Sequence, residues 1–156
     1  MREVKYRAWD NVENKMYYPG EEENIHFYFD SSGIVAERFI EEEVCTPEGE
    51  RGMYGGTEKL EHHKYMQYTG LKDNASEEEH PMEIFESDIL FDPVNDEYYI
   101  VTWDESYANF FLKNIDDSLG KPDYDFAEYD TDVCDGLYVV GNIHENPELL
   151  CDSNVR

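Results

Sequence analysis

The chain is predicted to be mainly β, a small barrel or sandwich with little helix. Three observations carry that prediction. Apolar residues recur with a period of two, as in Ile25-His26-Phe27-Tyr28-Phe29, the repeat of a strand with one buried face. Turn residues punctuate such runs at short intervals along the chain. Only one segment, Asn146-Pro147-Glu148-Leu149-Leu150, has a helix start, with Asn146 as N-cap and Pro147 as the first helical residue.

Taken in order, residues 4–9 form a first strand that can join the barrel. Ile25 to Phe29 is a strand with Ile25, Phe27 and Phe29 on one face, and Ser31-Ser32-Gly33 turns it back. The return strand runs from Ile34 to Ile40; a short helix over 34–43 is the alternative. Thr46 to Thr57 holds Pro47, Gly49, Gly52, Gly55 and Gly56 and is expected to be a loop. Lys64 to Thr69 reads as a strand stopped by Gly70, and Asp73 to Pro81 as a solvated acidic loop. Ile84-Phe85 and Ile89-Leu90-Phe91 flank Glu86-Ser87-Asp88, a polar step where a strand bends. Asp92 to Asp96 is a turn, with Pro93 where a central strand would not tolerate it. Tyr98 to Trp103 and Tyr107 to Leu112 answer each other across Asp104-Glu105-Ser106. Leu137 to Ile143 is the last strand. This organisation gives a β-rich N-terminal lobe over 1–72 and a barrel lobe over 73–156 that ends in a short helix.

The charge separates the same two halves. Of 156 residues, 38 are Asp or Glu and 12 are Lys or Arg, for a net charge of −26. Residues 73–156 hold 23 of those acids and only 3 of the bases. Such a chain repels phosphate, because sequence-independent nucleic-acid affinity comes from Lys and Arg displacing counterions. Direct nucleic-acid and anionic-membrane binding are therefore excluded as expectations. Disorder is excluded too, since 15% of the residues are aromatic, far more than a solvated polyanion carries. The N-terminus lacks the apolar core of a secretory signal, and no apolar run reaches the length of about 18 residues needed to span a bilayer. Cys45, Cys134 and Cys151 are odd in number and widely spaced, as free thiols are. The expected location is the cytoplasm.

Catalytic chemistry finds little support. Carboxylates are so numerous that two close in sequence identify no acid–base pair. Asp130-Thr131-Asp132-Val133-Cys134-Asp135-Gly136 approaches a calcium loop, but its third acid and its glycine fall one place late and position twelve is Gly141. His62 and His63 are adjacent, and neighbours on a strand or helix point apart. His26, His80 and His144 have no Cys or His at ligand spacing. No metal, cofactor or catalytic residue is expected, and the protein is read as a non-enzyme.

Aromatics are more informative. If Trp103 faces inward with Val101 and Tyr99, then Tyr98 lies on the opposite face, with Tyr107 and Phe111 beside it on the partner strand. A barrel this small buries one face, so the other must be covered by the N-terminal lobe or by a partner. Tyr98, Tyr107 and Phe111 are the candidate interface.

Three blocks carry a family resemblance. They are Arg2-Glu3-Val4-Lys5-Tyr6-Arg7-Ala8-Trp9-Asp10; Met66-Gln67-Tyr68-Thr69-Gly70-Leu71-Lys72-Asp73 followed by Ile84-Phe85-Glu86-Ser87-Asp88-Ile89-Leu90; and Gly141-Asn142-Ile143-His144-Glu145-Asn146-Pro147-Glu148-Leu149-Leu150. Together they resemble the YopX family of small phage and prophage proteins across nearly the whole chain. Ser87 stands where that family usually has Gly, which puts a positive-φ turn there in doubt. The acidic stretch from Asn74 to Pro81 replaces a shorter turn, and residues 17–60 match no block. The resemblance implies an SH3-like barrel core and a tendency to oligomerise, and it brings no activity or catalytic residues. The leading expectation is an accessory protein acting through protein contacts, with itself or a host protein, as a homo-oligomer. The alternative is an acidic DNA mimic that occupies a host nucleic-acid-binding protein.

Overall fold

A computed structural model describes residues 3–73, 81–116, 124–125 and 136–151. The chain is mainly β, with a sheet curled into a half-barrel. The strands are β1 (Tyr6–Asp10), β2 (Lys15–Tyr17), β3 (Ile25–Asp30), β4 (Gly33–Cys45), β5 (Arg51–Lys59), β6 (Lys64–Lys72), β7 (Glu83–Phe85), β8 (Asp88–Asp92), β9 (Glu97–Asp104), β10 (Asn109–Asn114), β11 (Tyr124–Asp125) and β12 (Tyr138–Asn142). They fall into two compact units: Tyr6–Tyr65, and the residues through Lys5 together with those from Met66 onward. The division lies inside β6, between Tyr65 and Met66.

In the unit Tyr6–Tyr65, β1 and β2 form an antiparallel hairpin in which Asp10 pairs with Lys15. Asp10 builds its turn: one carboxylate oxygen accepts the amides of Val12 at 2.8 Å and Glu13 at 2.9 Å. β3 and β4 form the expected hairpin, with Asp30 opposite Gly33 across Ser31-Ser32. The return segment is a strand, not the alternative helix. Ile25 and Ala36 are buried and Phe27 is partly so, but Phe29 is exposed at the hairpin end, edge-on to Tyr6. The core is small: Tyr17, Ile25, Ala36 and Leu60, with Phe27 and Tyr65 packed against them.

The segment from Thr46 to Thr57 departs from expectation. Only residues 46–50 turn, with Gly49 at φ 85; the rest joins β5 and pairs with β4 from Glu37 opposite Lys59 to Cys45 opposite Arg51. Gly52, Gly55 and Gly56 sit in this strand opposite Val44, Glu41 and Ile40. Their composition reads as loop, but cross-strand hydrogen bonding decides, because β preference depends on context more than on intrinsic propensity.

The other unit is organised around the antiparallel sheet β11-β10-β9-β8-β12. Ile84, Leu90, Tyr99, Val101, Phe110, Leu112 and Leu137 form its buried apolar cluster. Each such side chain is worth about 1.5–3 kcal/mol relative to full exposure. Aspartates tie both hairpin turns: Asp92 accepts the amides of Val94 and Asn95, and Asp104 those of Ser106 and Tyr107. Such side-chain-to-backbone bonds are what make Asp a turn former.

The second and third sequence blocks turn out to hold this unit's backbone clamps. β6 does not stop at Gly70; it runs to Lys72, with Gly70 at φ 92 inside an irregular stretch of its pairing with β7. Asp73 is not solvated but buried, and its carboxylate accepts the amides of Met82 at 2.6 Å and Val139 at 3.1 Å. The remainder of the expected acidic loop, 74–80, lies outside the described residues. Ser87 keeps a positive φ of 69° despite its side chain. Its amide donates to the Val101 carbonyl and its carbonyl accepts the Ile143 amide, so the bend is pinned from both sides. Asp88, buried, accepts the Phe85 amide at 2.7 Å. In the last block, a Cβ on Gly141 would collide with the Asn146 side chain. Asn146 holds the expected N-cap position and Pro147 opens the turn, but the Asn146 side chain makes no capping bond; its oxygen accepts the Asn142 amide, and Pro147–Leu150 is a single 3-10 turn.

Candidate functional site

The expected aromatic interface is only partly assembled. Tyr98 and Phe111 lie on one face of the β9–β10 pair and are half-buried, the Tyr98 ring 4.8 Å from that of Phe91 across the β8–β9 ladder. Tyr107 does not share that face. β10 begins at Asn109, and Tyr107 stands in the preceding turn, 81% exposed. The expectation extended strand alternation two residues too far; the turn that Asp104 ties ends the ladder first. Trp103 is likewise not full core. It shares a face with buried Tyr99 and Val101, but at the hairpin end it is 36% exposed, edge-on to its cross-strand partner Phe110 at 4.9 Å.

A second surface was not visible in the sequence. β3 pairs with β4 only as far as Arg38, so from Phe39 onward β4 has β5 as its partner and the two form a ribbon. Every residue from Glu41 to Gly55 is exposed. Among them are Val44, Met53 and Tyr54, with exposed Phe39 at the ribbon's base. β5 is also an edge strand in the order β3-β4-β5. A two-stranded ribbon is marginally stable in water, and an unpaired edge is a template for another strand.

Among the described residues, a group of ligand-type side chains lies within the unit Tyr6–Tyr65. His62 and His63, expected to point apart, both reach Asp10: each Nε2 lies 3.0 Å from a different carboxylate oxygen. The alternation rule fails because the pair sits in the bend between β5 and β6, where neither strand nor helix geometry applies. Asp10 and the His63 ring are buried and His62 is half-exposed. Burial opposes ionisation of Asp10, but the Glu13 and Val12 amides and both imidazoles outweigh it and hold its carboxyl well below the usual range. Burial pushes His63 down, against the pull of Asp10, so the ring is neutral near pH 7. It stacks on Tyr17 with centroids 5.5 Å apart, and its Nδ1 is buried without a hydrogen-bond partner among the described residues. Tyr17, pushed up to about 12 by burial and by Glu13, donates its hydroxyl to Glu13, which also pairs with Arg38 at 2.7 Å. The ligand-type atoms of Asp10, His62 and His63 all lie within 4.8 Å of one another. The only forewarning in the sequence is an Asp closing the apolar run Ala8-Trp9.

The calcium-like segment falls almost wholly outside the described residues, as does Cys134; Cys45 and Cys151 are exposed free thiols. Among the described residues, no helix is long and apolar enough to cross a membrane. A family model described as YopX protein matches residues 5–151. No curated protein matches the chain.

Proposed function

The chain belongs to the YopX protein family, and from that premise we propose that it is a non-catalytic phage or prophage accessory protein, acting in the host cytoplasm through protein–protein contacts as a homo-oligomer. In this reading the β8–β12 sheet is the core of an SH3-like barrel, and the β4–β5 ribbon is the contact element. The observation that carries it is the ribbon itself: two strands from Phe39 to Thr57 with exposed Val44, Met53 and Tyr54 and a free outer edge on β5. A second copy of the chain pairing on that edge satisfies its backbone groups and flanks Met53 on one face of the ribbon and Tyr54 on the other. Tyr107 is a further exposed contact, while half-buried Tyr98 and Phe111 contribute less.

Sedimentation velocity tests the reading. The native chain should sediment as an oligomer, and Met53→Ser with Tyr54→Ser should shift it to monomer with its circular dichroism unchanged. A native monomer at all concentrations, or an oligomer indifferent to these serines, would contradict it. The alternative, an acidic mimic of DNA, rests on the net charge of −26. Ionic strength separates the two. A partner captured by mimicry dissociates as salt screens the charges, whereas a ribbon contact built on apolar side chains and backbone bonds persists.

A further inference from the structure

We infer that Asp10, His62 and His63 form a site for a divalent transition-metal ion of the zinc class, held by the Asp10 carboxylate and the two Nε2 atoms, with its remaining coordination open to solvent on the His62 side. The inference goes beyond the protein-contact reading and does not depend on it.

The donor set selects the metal. Two imidazole nitrogens with one carboxylate oxygen suit Zn2+ and its first-row neighbours, whereas Mg2+ and Ca2+ take oxygen ligands. The spacing fits as well. Metal–ligand bonds of about 2.0–2.2 Å set neighbouring ligand atoms roughly 3–3.5 Å apart. Here each Nε2 is already 3.0 Å from a carboxylate oxygen, and the set lies within 4.8 Å.

The ligands are also held in place. The Val12 and Glu13 amides grip one oxygen of Asp10, the kind of outer support that orients a ligating carboxylate, and leave the other to His63. His63 is fixed by its stack on Tyr17 and an edge contact with Tyr65. Arg38 is committed to Glu13, so within this cluster Asp10 faces the two histidines and no lysine or arginine. A three-ligand set with an open position is the pattern of sites that exchange a water or a further ligand, not of closed structural zinc.

The test is titration of the tag-free full chain with Zn2+ by calorimetry, and with Co2+ by its visible ligand-field absorption. One saturable ion per chain is expected, undisturbed by excess Mg2+. His62→Ala, at a half-exposed position, should weaken binding by about tenfold or more. His26→Ala should leave it unchanged. On the unaltered chain, Zn2+ should shift the Nε2 resonances of His62 and His63 in nitrogen-15 spectra. No saturable binding, equal affinity in His62→Ala, or unmoved histidine resonances would overturn the site and assign any uptake to scattered surface carboxylates.

Discussion

In the unit from Met66 onward, seven apolar side chains pack as one cluster under a five-stranded sheet, and its buried aspartates serve backbone amides, Asp88 that of Phe85 and Asp73 those of Met82 and Val139. In Tyr6–Tyr65 the apolar cluster has four members, and Asp10 and His63 are buried beside it. The same unit carries the ribbon, exposed on both faces. Among the described residues, the first arrangement spends its buried polar groups on its own backbone; the second leaves a ligand-type cluster and a free strand edge. The difference teaches where to look for function: in the unit whose own chain does not finish its packing.

The largest expected effect tests the complete half. Leu112 is 1% exposed, so Leu112→Ala should cost about 2–5 kcal/mol in urea unfolding. Trp103→Ala, on the same sheet, should cost much less, about 1 kcal/mol, because the rim position surrenders chiefly the edge contact with Phe110. Equal losses would show that the hairpin end is core after all.

The next effect tests the other half through pH. His63 is held below its usual value in the folded chain, so the unfolded chain binds the extra proton first as the pH falls. Stability contributed there is present above the unfolded value near 6.5 and lost below it. Melting temperatures should therefore fall on acidification through that region, and His63→Gln should flatten the fall. Glu86, pushed up by burial in the other unit, acts in the opposite sense, its contribution lost as the pH rises past the ordinary carboxylate range. A slope identical in His63→Gln would remove His63 from the account.

The smallest effect concerns one bend. Ser87 occupies a backbone region that costs a residue with a Cβ about 1 kcal/mol, so Ser87→Gly should stabilise the chain by about that much. Destabilisation instead would mean that the serine side chain makes an interaction worth more than the strain.

Legibility in the sequence follows the same division. The hairpins β3–β4, β8–β9 and β9–β10 were readable because their signals are local: alternation of Ile25 to Phe29 and of Tyr98 to Trp103, with Asp or Ser at the turns. The glycines of β5 were not, since their strand exists only through its pairing with β4. Asp73 was hidden for the same reason, its partner amide on Val139 lying 66 residues away. The candidate site was almost wholly illegible. His63 and Asp10 are 53 residues apart, and a bend, not a periodic element, turns two adjacent histidines onto one carboxylate. Ser87 shows the converse: its side chain argued against positive φ, yet its amide's bond to the Val101 carbonyl and the Ile143 amide's bond to its own carbonyl hold it there.

Amide hydrogen exchange across a range of protein concentrations, read by mass spectrometry, tests the central claim most directly. The account predicts that β9 and β10 are strongly protected at every concentration. It predicts that the ribbon, residues 39–45 and 51–57, exchanges rapidly in dilute protein and slows as copies pair on the β5 edge. Ribbon exchange that is equally fast at all concentrations, or equally slow in the dilute monomer, would contradict it.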